Sequence, residues 1–200
     1  METKRSRGRP ATVDADAVAS IALTLFLERG FDDVTMADIA SASGIGRRTL
    51  FRYFPSKFAL VWGGAAELSE SILRALSEAT PTEGRTGAAV AQAYREAYQT
   101  IPPAALGLIR SRLRIIHRFP EVYAYGHARW LEDHGELASF IAQHEGRESS
   151  ELDVAMRAQL VSSLTFAALL WWAERDDAEF FDTMERAFVR LESCLDAPIS

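Results

Sequence analysis

Apolar positions recur at helical spacing along almost the whole chain. Val18, Ile21, Ala22, Leu25 and Phe26 form the stripe of an amphipathic helix over about 14–29. Gly30 follows as a left-handed cap, and Phe31 can fold back over that end. Thr35, three residues ahead of Asp38, makes a capping box with Asp in place of Glu and opens a helix of two turns that stops at Ser43-Gly44. A third helix covers about 47–54, and Pro55-Ser56 breaks it and starts a fourth. Further helices are predicted at about 57–79, 87–100, 103–118, 121–144, 150–175 and 178–195, separated by segments such as "TPTEGRTG", "IPP" and "EGRESS". No alternating strand pattern of useful length and no internal repeat appears, so the fold is all-α. Three helices within some 45 residues, joined by glycine turns, make a helix-turn-helix unit over 11–57. A flexible basic arm, 1–10, precedes it, and a helical body, 58–200, follows with a soft boundary inside the helix after Lys57.

The helix at about 150–175 carries two apolar stripes. Val154, Ala158, Val161, Ala168, Leu169 and Trp172 form one; Met156, Leu160, Leu164, Ala167, Leu170 and Trp171 form the other. A helix apolar on both sides is buried on both sides, so one stripe meets its own domain and the other needs a partner. The last helix contributes Phe181, Met184, Phe188, Leu191 and Leu195 as its own stripe. Two helices from each of two subunits then make a four-helix homodimer interface.

Charge sharpens the picture. The 200-residue chain has a formal net charge of −6, yet residues 1–57 sum to +2 and the rest to −8, a small basic head on an acidic body. No Asp or Glu falls between Asp38 and Glu67, while Arg47, Arg48, Arg52 and Lys57 lie in that interval. On a helical wheel Leu50 and Phe54 point to the head's core, so Arg48, Thr49 and Arg52 point out, flanked by Arg47, Phe51 and Tyr53. A short exposed helix with arginines and aromatics suits the DNA major groove, where an Arg fork bonds guanine and hydroxyls hold phosphates. Lys57 stands in the first turn of the next helix, against the helix dipole, which points to an external phosphate as its partner. A solvated charged face is the ordinary alternative for three arginines, and the acid-free interval tips the balance towards DNA. Arg7 and Arg9 in "RGRP" have the composition of an arm for the minor groove of A·T-rich DNA; a solubilising tail has the same composition.

The segment "GFDDVTMADIASASGIGRRTLFRYFPSKFAL", residues 30–60, resembles the DNA-binding head of TetR-family transcriptional regulators in residue types and in spacing. That resemblance implies that Arg47, Arg48 and Thr49 occupy the base-reading turn, and that Thr35, Tyr53 and Lys57 clamp the DNA backbone. Phe51 stands where the family often has Tyr, which removes a hydroxyl-to-phosphate bond, and Gly46 replaces the usual Ser-type cap. The resemblance further implies a C-terminal helical ligand-binding and dimerisation domain, a palindromic operator, and repression released by a small-molecule effector. "RRTLFRYFPSK" with Trp62-Gly63 is similar to the mycofactocin type of these regulators, which implies acyl-CoA effectors.

Aromatic candidates for the effector site are Trp62, Tyr94, Tyr98, Tyr123, Trp130, Phe166 and Trp171, although aromatics at helical spacing are more often core. Arg110, Arg114 and Arg118, with His117 alongside, make one helix face basic; pairing with the acidic body is the ordinary reading and an anionic effector the sharper one. Catalytic signatures are missing: H-E-x-x-H, C-x-x-C and G-x-S-x-G do not occur, and Gly44-Ile45-Gly46 follows a helix rather than a strand. His127 and His134 are seven apart, too far for easy chelation of one metal. No enzyme, metal or cofactor is therefore expected. Two rivals are a ligand-independent architectural DNA-binding protein and a small-molecule binder that has lost DNA binding. The basic start lacks the apolar stretch of a secretory signal, and "LTFAALLWWA", 164–173, falls short of the roughly 20 residues that span a bilayer. A single cysteine, Cys194, suits a reducing cytoplasm.

Overall fold

The computed structural model describes residues 13–79 and 85–196, and within 127–134 the backbone alone. The proposed arm with Arg7 and Arg9, and the side chains of Trp130, His127 and His134, lie outside the described residues. All described regular structure is helical, as the periodicity requires.

The head is α1 (Ala15–Arg29), α2 (Met36–Ala42), α3 (Arg47–Tyr53) and α4 (Lys57–Val61). Asp14 caps α1 by accepting from the Ala17 amide, and the Thr35/Asp38 capping box opens α2 as expected. Gly30 closes α1 at φ 96°, ψ 150°, not in the left-handed helical region expected; the positive φ still selects glycine. Phe26, Phe31, Val34, Ile39 and Leu50 are all but sealed from solvent and fix the three helices around one small core.

The body comprises α5 (Ala65–Glu78), α6 (Thr86–Gln99), α7 (Leu106–Arg118, entered through a 3-10 turn at Pro103–Ala105), α8 (Pro120–Glu145), α9 (Leu152–Ala173) and α10 (Phe180–Leu195). The single helix predicted for 57–79 is thus two. Trp62 ends α4 and Gly64, at φ 84° and ψ −13°, starts α5, a conformation that turns the chain where a continuous helix was expected. Helix α10 packs on both α6 and α9, α5 lies on α6 and α8, and α7 bridges the body to α1 and α4. A mostly buried ion pair, Arg157 to Glu145 at 2.9 Å, with a second Arg157 bond to the Leu195 carbonyl at 2.7 Å, ties α8, α9 and α10 together.

The two stripes of α9 separate in part, since Ala168, expected on the inward stripe, sits with Leu164 and Trp171 of the other. Val154, Ala158, Val161 and Trp172 are buried, whereas Met156 and Trp171 remain 59% and 43% exposed. The stripe assigned to α10 is divided: Met184, Phe188, Leu191 and Leu195 face the body's own core and only Phe181 faces out, joined by Val189. Leu164, Ala168, Trp171 and Val189 line an outward groove between α9 and α10, with Arg186 and Arg190 at its edge. Over its full 22 residues α9 is long and apolar enough to cross a membrane, which the ten-residue run within it does not show. Here it packs against α7, α8 and α10.

Candidate nucleic-acid interface

Helices α2 and α3 meet through Gly44-Ile45-Gly46, where Gly44 takes φ 65° and the Ile45 amide reaches back to the Ala40 carbonyl at 3.1 Å. That turn, with Leu50 wholly buried as anchor, aims α3 outward. Arg47, Arg48 and Arg52 are exposed, Thr49 is half-buried, and Phe51 and Tyr53 are 44% and 40% exposed. Among the described residues none of the three arginines enters an ion pair with a carboxylate. Arg52 lies over the Tyr53 ring, 5.1 Å from its centroid, so these two present one cationic and aromatic surface. Gly46 supplies no side-chain cap, which leaves the first amides of α3 without a local acceptor.

Two residues expected to clamp phosphate have work inside the head. The Lys57 ammonium donates to the Phe31 carbonyl at 2.5 Å and lies over the Phe31 ring, 4.4 Å from its centroid. Its position against the α4 dipole is thereby explained without an external anion, although an ammonium has three donors and only one is used here. Thr35 donates its hydroxyl proton to Asp38 at 2.6 Å and accepts from the Asp38 amide at 3.2 Å. These hydrogen bonds hold the Asp38 carboxyl below its ordinary range, the Thr35 side chain contributing most.

Head and body meet at a second group of contacts. Phe119 packs near Phe31, Arg118 donates to the Leu27 carbonyl at the end of α1 at 3.4 Å, and Phe58 stacks on Tyr125 at 4.5 Å and 14°. Trp62, the last residue before the α4–α5 turn, donates from Nε1 to the Val122 carbonyl at 2.9 Å and lies so close on Gly126 that a Cβ there would run into its indole.

The aromatic candidates fall into three places. Trp62, Tyr123 and Phe166 meet where α4, α8 and α9 converge, with ring centroids 5.8–6.5 Å apart. Tyr94 and Tyr98 are buried on α6 against Phe180 and Phe188 of α10, and burial pushes the Tyr98 phenol far above its ordinary range. Trp171 is on the outer face with Arg175 over its ring. The basic face of α7 is divided: Arg110 and Arg114 pair with the body, while Arg118 turns to the head. Arg110 and Arg114 converge on Asp176 at 3.2 and 2.7 Å and bond the carbonyls of Arg175, Ala178 and Ala173, capping the end of α9. Arg110 also covers the Trp172 ring at 4.4 Å.

Two family models match the chain. Residues 20–61 match the family model of bacterial regulatory proteins, tetR family, and residues 85–196 match that of the MftR C-terminal domain. The mycofactocin biosynthesis transcriptional regulator MftR of Mycobacterium tuberculosis is 29% identical over 185 residues, covering 90% of each chain. The HTH-type transcriptional regulator TcmR of Streptomyces glaucescens is 30% identical over 188 residues, 91% of this chain and 81% of TcmR. Among solved structures, the TetR family transcriptional regulator PfmR from Thermus thermophilus shares the fold with a TM-score of 0.52 at 17% identity, covering 88% of this chain and 97% of that one.

Proposed function

The chain belongs to the TetR family and is a DNA-binding transcriptional regulator, and from that premise we propose that it acts as a homodimeric repressor released from a palindromic operator by a small-molecule effector. The carrying observation is α3: an exposed helix whose arginines lack carboxylate partners among the described residues, in a chain that is acidic elsewhere. Arg47, Arg48 and Thr49 read base edges, Arg52 and Tyr53 meet the flanking backbone, and Lys57 offers phosphate the donors left after Phe31. The outward groove of α9 and α10 takes the same groove of a second copy, which hides Trp171 and Met156 and presents two heads to a two-fold site. The convergence of Trp62, Tyr123 and Phe166 is the effector-side candidate nearest the head, and an acyl-CoA is the effector class that likeness to the mycofactocin type suggests. An effector binding better to the state that cannot hold DNA antagonises the operator, and reciprocally. DNA is the working partner, so we place the protein in the cytoplasm.

Selection of bound fragments from random duplex DNA tests this. An inverted repeat with half-sites one helical turn apart, about 34–36 Å, is expected. Enrichment of no sequence, as an architectural protein would give, sinks the reading.

A further inference from the structure

Arg112 of α7 is out of keeping with the arginines around it. Its side chain is 14% exposed, its Nε is buried without a hydrogen-bond partner, and its nearest carboxylate, Asp16 of α1, is 3.9 Å away and itself 80% exposed. The guanidinium lies on the backbone of the α4–α5 turn, where a Cβ built on Gly63 or Gly64 would come within 3.2 Å of it. Arg110 and Arg114, on the same helix, each bond the Asp176 carboxylate and at least one backbone carbonyl. A cation withdrawn from water without matching bonds works against stability, and an apolar side chain of similar volume does as well or better in such a place. Departures of this kind concentrate where function requires them. This one lies between a helix of the head (α1), the only covalent connection of head to body (α4–α5), and the body.

We propose that Arg112 is a positioning residue for DNA binding: a half-satisfied cation that holds the head against α7 through Asp16 and exchanges that carboxylate for Glu67 of α5 when the head swings. Glu67 lies in the first turn of α5, directly after the turn on which the guanidinium rests. Burial lowers the Arg112 pKa while Asp16 and Glu67 oppose it, so both carboxylates already act on this cation. One belongs to the head and the other to the body. A head that swings away lengthens the pair with Asp16, and Glu67, which stays with the body, is left to balance the charge. The inference rests on the head changing pose between DNA-bound and free states, as proposed above.

The test compares wild type with Arg112→Met, close in volume and uncharged, and with Asp16→Asn. Three quantities are read: thermal midpoint, affinity for the operator selected by the wild type, and amide hydrogen exchange of residues 57–66. Arg112→Met should keep or raise the midpoint, quicken exchange in 57–66 alone, and lower operator affinity on the order of tenfold. Asp16→Asn should move exchange and affinity the same way by less. A merely structural arginine would lower the midpoint and quicken exchange everywhere, which overturns the proposal. So does wild-type exchange and affinity in Arg112→Met, or in Asp16→Asn. Failure of the wild type to select any operator strikes the repressor reading instead, and exchange at 57–66 still decides the role of Arg112.

Discussion

At the scale of single residues, the proposed interface rests on a few outward arginines, with Lys57 and Thr35 already engaged inside the head. Arg48→Ala or Arg47→Ala should cost about 1–3 kcal/mol on the selected operator, measured by fluorescence anisotropy, and relax preference at one base position. Wild-type affinity and preference in both variants would remove α3 from base reading. Lys57→Ala is expected to act differently, lowering the thermal midpoint as well as weakening every DNA sequence alike, because the ammonium also holds the Phe31 carbonyl. Four surface carboxylates are shifted in the same direction. Asp38 beside Thr35, Asp176 beside Arg114 and Arg110, Glu185 beside Arg95, and Glu151 beside the Glu148 amide and Arg147 are all lowered. A depressed folded-state pKa adds stability above the unfolded value that is lost as protons bind at lower pH. The thermal midpoint should therefore be level from neutral pH to about 5 and fall below about 4.5, where unfolded carboxylates begin to titrate. A midpoint that rises on acidification through that interval would contradict these assignments.

At the scale of elements, helix existence and the outward face of α3 were legible because both rest on local periodicity and capping: Leu50 inward with Arg48 and Arg52 outward needs only the helical repeat. What stayed hidden depends on contacts distant in the chain. Nothing beside Lys57 in sequence announces Phe31 as its acceptor, and the basic stripe of α7 could not declare that Asp176 and the end of α9 would receive it. The break at Trp62-Gly63-Gly64 was half visible: a soft boundary was expected inside the helix after Lys57, yet only the fold shows that Gly64 adopts a positive φ and that the helix ends there. This changes what the glycines predict. Gly64→Ala should destabilise the protein by about 1–2 kcal/mol, the cost of a left-handed conformation with a Cβ, read by chemical denaturation. An unchanged or raised stability would mean that α4 and α5 can run on as one helix. Gly63→Ala meets the Ala59 carbonyl and Arg112 and tests contact rather than backbone freedom.

At the scale of the whole molecule, the proposed assembly turns on the outward face of α9 and α10. Asp at Ala167 or Leu170 should give monomers that retain helical circular dichroism but fail on paired half-sites, as sedimentation and gel shift would show. A monomeric wild type at micromolar concentration would leave that apolar face without its proposed occupant. Head and body are joined elsewhere, by Phe58 on Tyr125, Arg118 on Leu27 and the indole of Trp62 on Gly126, so the proposed assembly face and the head contacts are separate surfaces. The last of these contacts constrains how such a sequence drifts over generations. Gly126 has no space for even a methyl group while Trp62 keeps its place, so a lineage acquiring Ala at 126 must lose bulk at 62 in the same period or live with a displaced α4. The two positions, far apart in the chain, should therefore vary together: Gly126→Ala is expected to lower the thermal midpoint alone, and Trp62→Leu to restore it.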